Sequence, residues 1–170
     1  MGLFTGREVA DPKPRSCTLM DAVRDDDREL VTKTLAAGES VTQTNAYLRT
    51  PLHKAAYYSG APDVIASLVA RGADVNARDK GNWTALHLAT RNGHLEAMRI
   101  LLDEGAELAV QDAKHGWTAL HLAVIAGQVE AAKMLVGAGA GQFMDIQDKS
   151  GMNVTALLEE NDMDPSEIMC

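Results

Sequence analysis

Three of the five histidines in this chain, His53, His87 and His121, recur at intervals of 34 residues. Regularly placed imidazoles invite a zinc site, which needs its ligands about 2 Å from one ion. A fixed repeat instead sets them about one helix diameter apart, on the order of 10 Å, so they cannot converge. His94 and His115 are equally isolated. Recurrence within one phrase points to a structural task, and no metal or cofactor is expected. Nucleophilic chemistry finds no better support. Cys17 and Cys170 lie near opposite ends of the chain, and there is no GxSxG elbow, P-loop or dinucleotide fingerprint. These residues point away from an enzyme.

Binding chemistry has more to work with. The two tryptophans, Trp83 and Trp117, each immediately precede the phrase Thr-Ala-Leu-His, again 34 residues apart. Tryptophan, tyrosine and arginine dominate binding hot spots because they bury much area at modest entropic cost. Two such rings held about 10 Å apart could bracket one segment of a partner. They could equally pack on the adjacent turn and do nothing else.

The elements that would hold these residues are written in the repeat. "TPLHKAAYYSG" begins at Thr50, "TALHLATRNG" at Thr84 and "TALHLAVIAG" at Thr118. They continue into the apolar segments "DVIASLVARGADVNARD", "EAMRILLDEGAELAVQD" and "EAAKMLVGAGAGQFMDIQD". In the middle copy Thr84 precedes an apolar run and can cap a helix by accepting a backbone N–H bond. Leu86 and Ala89 share one helix face, and Met98, Leu101 and Leu102 give a second helix its buried side. Gly93 breaks the chain between them, and Gly105 can end the second helix in a left-handed conformation. Asp112 and Gly116 then supply turn chemistry. A unit this small cannot bury its own apolar face, so neighbours must stack into a continuous core.

With Thr50-Pro51-Leu52-His53, Thr84-Ala85-Leu86-His87 and Thr118-Ala119-Leu120-His121, and with "RGADVNARD" and Gly72, Gly105 and Gly139 in support, the chain resembles ankyrin-repeat proteins over roughly residues 17 to 163. The resemblance implies an all-α repeat solenoid of helix-turn-helix units with short β-hairpin loops. It divides the chain into an N-terminal arm (1–16), an N-capping repeat (17–49) and repeats at 50–83, 84–117 and 118–152. A partial C-capping repeat with an acidic tail (153–170) completes it. Met20 and Asp26 stand in the first unit where the family has histidine and glycine, and Asn153 takes the threonine's place in the last. Pro165 is expected to interrupt the second helix of that last unit. Three loops depart in length. One extra residue falls around Ser59 to Pro62, "DAKHGW" is one residue longer than "DKGNW", and the link "GQFMDIQD" is about two longer than its counterparts.

By the same resemblance, hairpin tips and first helices line a concave binding face. Its variable positions here are Tyr47, Arg49, Lys80, Trp83, Lys114, His115, Trp117 and Met152 on the hairpins. On the first helices they are Arg24, Asp25, Tyr57, Tyr58, Arg91, Asn92, Ile125 and Ala126. Most of the chain's few aromatics and several of its cations gather there, which favours a protein partner with an acidic or aromatic segment. Neither tryptophan is expected in the core between repeats. "LVARGADVN" also resembles the segment that asparaginyl hydroxylases modify in ankyrin repeats, which makes Asn76 a candidate for hydroxylation.

Composition bounds the rest. A hydrophobic content of 46 % supports a folded core, and only 4 % aromatic residues means that core is built from small aliphatic groups. A net charge of −8 argues against nucleic-acid binding, which needs a surplus of cations to displace counterions. Glu159, Glu160, Asp162, Asp164 and Glu167 lie beyond the last basic residue, Lys149, as a solvated acidic tail. No apolar run reaches the length of a membrane span. Gly2 could carry a myristoyl chain, but Gly6 stands where serine or threonine is needed. Two distant cysteines suggest a reducing compartment: the cytoplasm, with the nucleus as a second possibility. The expectation is a monomeric adaptor or regulator without enzymatic activity that grips a protein partner. The alternatives are a stoichiometric inhibitor or assembly chaperone of a larger enzyme, and, more remotely, an enzyme with a site in the arm or tail.

Overall fold

Threonine decides where the first helix of each pair begins. Thr50, Thr84 and Thr118 are extended (φ −82°, −97° and −84°), and each forms a capping box with the histidine that comes after the proline or alanine and the leucine. In each box the imidazole Nδ1 accepts the threonine's backbone N–H, at 3.2, 3.3 and 3.3 Å. A ring nitrogen that accepts cannot also carry the proton, so the neutral tautomer has its hydrogen on Nε2. That N–H donates to the Trp83 carbonyl from His53 (2.9 Å) and to the Val110 carbonyl from His87 (3.0 Å). Each of these two histidines therefore ties a helix start to the next loop. Burial pushes all three imidazoles below their ordinary pKa, which keeps them neutral for this role.

The computed structural model describes residues 18–161 and 163–168, so the expectations for the arm at residues 1–16, for Cys17 and for Cys170 fall outside it. The helices are α1 (Leu19–Arg24), α2 (Arg28–Ala36), α3 (Pro51–Tyr58), α4 (Pro62–Val69), α5 (Ala85–Asn92) and α6 (Leu95–Asp103). They continue with α7 (Ala119–Ile125), α8 (Val129–Gly137), α9 (Val154–Glu160) and α10 (Pro165–Ile168). The hairpin loops are tight turns, and the described residues contain no strand. First helices α1, α3, α5, α7 and α9 pack in succession, α4 lies on α6 and α6 on α8, and α10 closes against α8. Leu52, Leu86 and Leu120 are at most 2 % exposed, and Ala55, Ala56, Ala89 and Ala123 are fully buried. Alanine at these points lets neighbouring helices approach closely, and one apolar cluster runs from Leu19 to Ile168.

The four helix pairs from α1 to α8 each turn through a left-handed residue: Asp26 (φ 54°), Gly60 (58°), Gly93 (68°) and Gly127 (65°). Asp26 thus takes the glycine's conformation, which aspartate tolerates better than most side chains. The extra residue in the second pair lies in Ser59-Gly60-Ala61 between α3 and α4, where α5 and α6 are joined by Gly93-His94 alone. The longer link after Gly139 winds into a 3₁₀ turn over Ala140–Phe143. Pro165 does not interrupt a helix but opens one, α10. At the first position of a helix its missing N–H has no intrahelical partner to lose and its fixed φ is already helical.

Candidate functional site

One short polar side chain organises each hairpin. Asn45 Oδ1 accepts the backbone N–H groups of Tyr47 (2.9 Å) and Arg49 (3.0 Å). Asp79 Oδ1 accepts those of Gly81 (2.8 Å) and Trp83 (3.0 Å), Asp112 Oδ1 that of Trp117 (2.7 Å), and Asp148 Oδ1 those of Ser150 (2.8 Å) and Met152 (3.0 Å). Successive tips are then joined by single backbone bonds: Lys80 N–H to Tyr47 O (3.0 Å), Ala113 N–H to Gly81 O (2.8 Å) and Lys149 N–H to His115 O (2.8 Å). Asn45, Asp79 and Asp148 were not among the candidate positions. The recurrence of Asn or Asp ahead of each tip is the signal that identifies them.

These clamps set Arg49, Trp83, Trp117 and Met152 in a row, each directly before the cap of a first helix. The row is tied forward from hairpin to hairpin. Arg49 Nε meets Asp79 Oδ2 at 3.0 Å, and the Asp79 side chain is only 4 % exposed. Trp117 Nε1 donates to Asp148 Oδ2 at 3.0 Å. Burial raises the Asp148 carboxyl, but the Ser150 hydroxyl, the Met152 N–H and the Trp117 indole outweigh it and hold its pKa at about 2. Trp83 breaks the pattern. Its Nε1–H has no hydrogen-bond partner among the described residues, and Asp112 Oδ2, in the next and longer hairpin, is met from within that hairpin. The backbone N–H groups of Lys114 and His115 each donate to that oxygen at 3.2 Å. Burial pushes the Asp112 carboxyl up, yet the N–H groups of Trp117, His115 and Lys114 bring it below its ordinary pKa.

Two hollows lie along this face. The larger, about 460 Å³, is lined by Arg49, Trp83, Arg91, Lys114, His115, Trp117, Ile125 and Ala126, with Asp112 and Leu122 at its base. The Arg91 guanidinium sits 5.7 Å from the Trp83 ring centroid, and His115 stacks on Trp117 at 4.0 Å and 17°. The second hollow, about 260 Å³, shares Arg49 and adds Arg24, Tyr47, Tyr57 and Tyr58, with Asn45, His53 and Lys54. Tyr57 and Tyr58 meet edge to face at 4.9 Å, and Arg49 lies 5.9 Å from the Tyr57 ring.

Not every candidate residue joins a hollow. Lys80 is exposed outside both, Asn92 spends its amide on the Tyr57 carbonyl (2.6 Å), Met152 packs against the core, and Asp25 pairs with Arg24 (2.8 Å). Neither tryptophan is one of the buried residues of the core, although Trp83 borders it. Its ring packs against the core edge and tilts over His87 at 5.7 Å. Asn76 lines neither hollow, donating to Gly105 O (3.2 Å) and accepting from Glu107 N–H (2.8 Å). Among the described residues no cluster of histidine, cysteine or carboxylate side chains could hold a metal ion, and no helix is long and apolar enough to cross a membrane.

Comparison with known proteins agrees with this geometry. The family model for ankyrin repeats (3 copies) matches residues 19–112 and 58–149. Among curated proteins, ankyrin repeat and SOCS box protein 2 is similar at 36 % identity over 52 % of this chain and 14 % of the bovine (Bos taurus) protein. The Homo sapiens protein matches at 35 % over 62 % of this chain and 16 % of its own length. The Homo sapiens SH3 and multiple ankyrin repeat domains protein 2 is 33 % identical over 46 % of this chain and 4 % of its own. The chain therefore spans about a sixth or less of these relatives. Ankyrin repeats mediate protein–protein interaction and are typically non-enzymatic. The matched repeats and the capped, stacked helix pairs they describe make this chain a member of the ankyrin-repeat family.

Proposed function

We propose that this protein is an adaptor or regulator that holds a segment of a partner protein along its hairpin and first-helix face, acting as a monomer in the cytoplasm. One observation carries the reading. Trp83, Trp117, Arg91, Lys114 and Ile125 gather round one hollow, adjoining a second rimmed by Tyr47, Tyr57 and Tyr58. Tyr47, Tyr58 and Ile125 are 66 %, 52 % and 37 % exposed, so three large apolar side chains on this one surface meet water in the free protein. Exposed apolar groups interleaved with cations match the make-up of binding hot spots.

The test is made on a partner identified by affinity capture and mass spectrometry. Tyr58→Ala and Ile125→Glu should each weaken its binding by about 2 kcal/mol or more while leaving the melting temperature within a few degrees. Arg99→Glu, on the exposed side of α6, should leave affinity unchanged. Loss of binding by Arg99→Glu alone would move the interface to the other face.

A further inference from the structure

We propose that the hollow between Trp83 and Trp117 reads a carboxylate side chain next to an apolar one, so that the partner is recognised through an acidic internal segment. The proposal rests on the hairpin face being the interaction surface and names what that surface selects. It starts from the break in the hairpin row. Arg49 and Trp117 each direct a donor at the aspartate of the next hairpin, whereas the Trp83 indole N–H has no such acceptor. An indole N–H only donates, so this one fits an acceptor brought by a ligand.

The charges beside it agree. Arg91 lies over the Trp83 ring with no carboxylate within ion-pair distance among the described residues, and Lys114 likewise has none. Of the other cations lining the two hollows, Arg49 and Arg24 are committed to Asp79 and to Asp21 and Asp25, and Lys54 donates to the Met20 carbonyl (3.4 Å). Asp112, the one carboxylate in the hollow, has a fully buried side chain and turns its oxygens to the N–H groups of its own hairpin. Two uncompensated cations in a chain of net charge −8 favour an acidic ligand and repel a basic one. A guanidinium placed 5.7 Å from the ring centroid and bound to no carboxylate has its N–H edge available for a two-pronged bond to one. Ile125 and the Trp117 ring form an apolar wall of the same hollow. A bare anion would leave that wall uncovered, and an apolar side chain next to the acid would cover it.

A library of random linear peptides displayed on phage, selected on the full chain, is the probe. Winners are resynthesised with acetylated and amidated ends, so that only side chains carry carboxylates. Binding is read by calorimetry and by tryptophan emission, since both tryptophans line the hollow. The winners should carry Asp or Glu beside an apolar residue, and changing the acid to its amide should weaken binding roughly tenfold or more. Arg91→Gln should abolish that acid-over-amide preference, and Trp83→Phe should reduce it, with melting temperatures maintained. Winners without acidic residues, an unchanged preference in Arg91→Gln, or no winners at all would overturn the proposal. Winners that bind equally as acid and amide but are lost in Ile125→Glu would overturn it while leaving the interaction face in place. Winners indifferent to both Ile125→Glu and Arg91→Gln would remove that face as well.

Discussion

His53, His87 and His121 show how much a single side chain does in this fold, because each serves a helix start through Nδ1 only while it is neutral. Burial lowers the pKa of all three and of His94 below the ordinary 6.5. The unfolded chain therefore takes up protons near 6.5 that the folded chain refuses until lower pH. Stability from these residues is complete above about 6.5 and is lost as the pH falls through the depressed values. Urea midpoints should drop between about pH 8 and about pH 5.5, and His87→Gln should shrink that drop. A midpoint that rises on acidification would contradict the neutral tautomer. The tryptophans make the complementary case. Trp117→Phe removes the bond to Asp148 and should cost about 1 kcal/mol, whereas Trp83→Phe keeps the packed ring and loses no internal bond. Equal losses in chemical denaturation would mean that the two indoles are equivalent after all.

The helix pair is the unit in which the sequence was most readable. Spaced apolar residues, a threonine before each first helix and glycine between helices were enough to place α3 to α8 and, in the middle pair, to put Leu86, Ala89, Met98 and Leu101 in the core; Leu102 is only partly buried. The same pattern predicts that Leu86→Ala and Leu120→Ala, both nearly unexposed, each cost roughly 2–5 kcal/mol by leaving a cavity. Thermal melts unaffected by both would be incompatible with a core stacked across these helices. The hairpins were less readable. The tryptophans differ in that Trp117 reaches the aspartate of the next hairpin, whereas beyond Trp83 the Asp112 hairpin is one residue longer and its own N–H groups face the carboxylate. A list of residue types does not contain that geometry. Leu48 was missed altogether. It is left-handed at φ 58°, at the step where the later hairpins have Asn82, Gly116 and Gly151, and it is 49 % exposed. A leucine in this conformation carries a penalty of roughly 1–2 kcal/mol. Leu48→Asn should raise stability by about 1 kcal/mol, visible as a higher melting temperature, and no gain would mean that the leucine side chain holds the hairpin by other contacts.

Across the whole molecule, stability should be graded along the stack, because a repeat array is held by contacts between neighbours. First helix α5 lies between α3 and α7, and its residues Leu86, Leu88 and Ala89 are at most 1 % exposed. The loops around the later pairs are stapled by the Asn76 amide, by the Asn82 amide donating to Gln111 O (2.7 Å) and by the Gln111 amide donating to Gln147 O (2.9 Å). At the other extreme α2 has α1 as its chief helical neighbour. It touches α4 little, and the Arg28–Asp63 pair that spans them (3.1 Å) joins two well-exposed side chains. Exposed ion pairs contribute about 0–1 kcal/mol, too little to replace apolar contact. Hydrogen exchange under native conditions should therefore show the amides of α2 opening first, at a free energy well below global unfolding. Those of α5 should exchange only when the whole stack unfolds. Arg28→Ala should leave that order unchanged. Uniform protection from α2 to α8 would mean that the stack unfolds as one block, and that the interface between the first two pairs is as strong as those deeper in the stack.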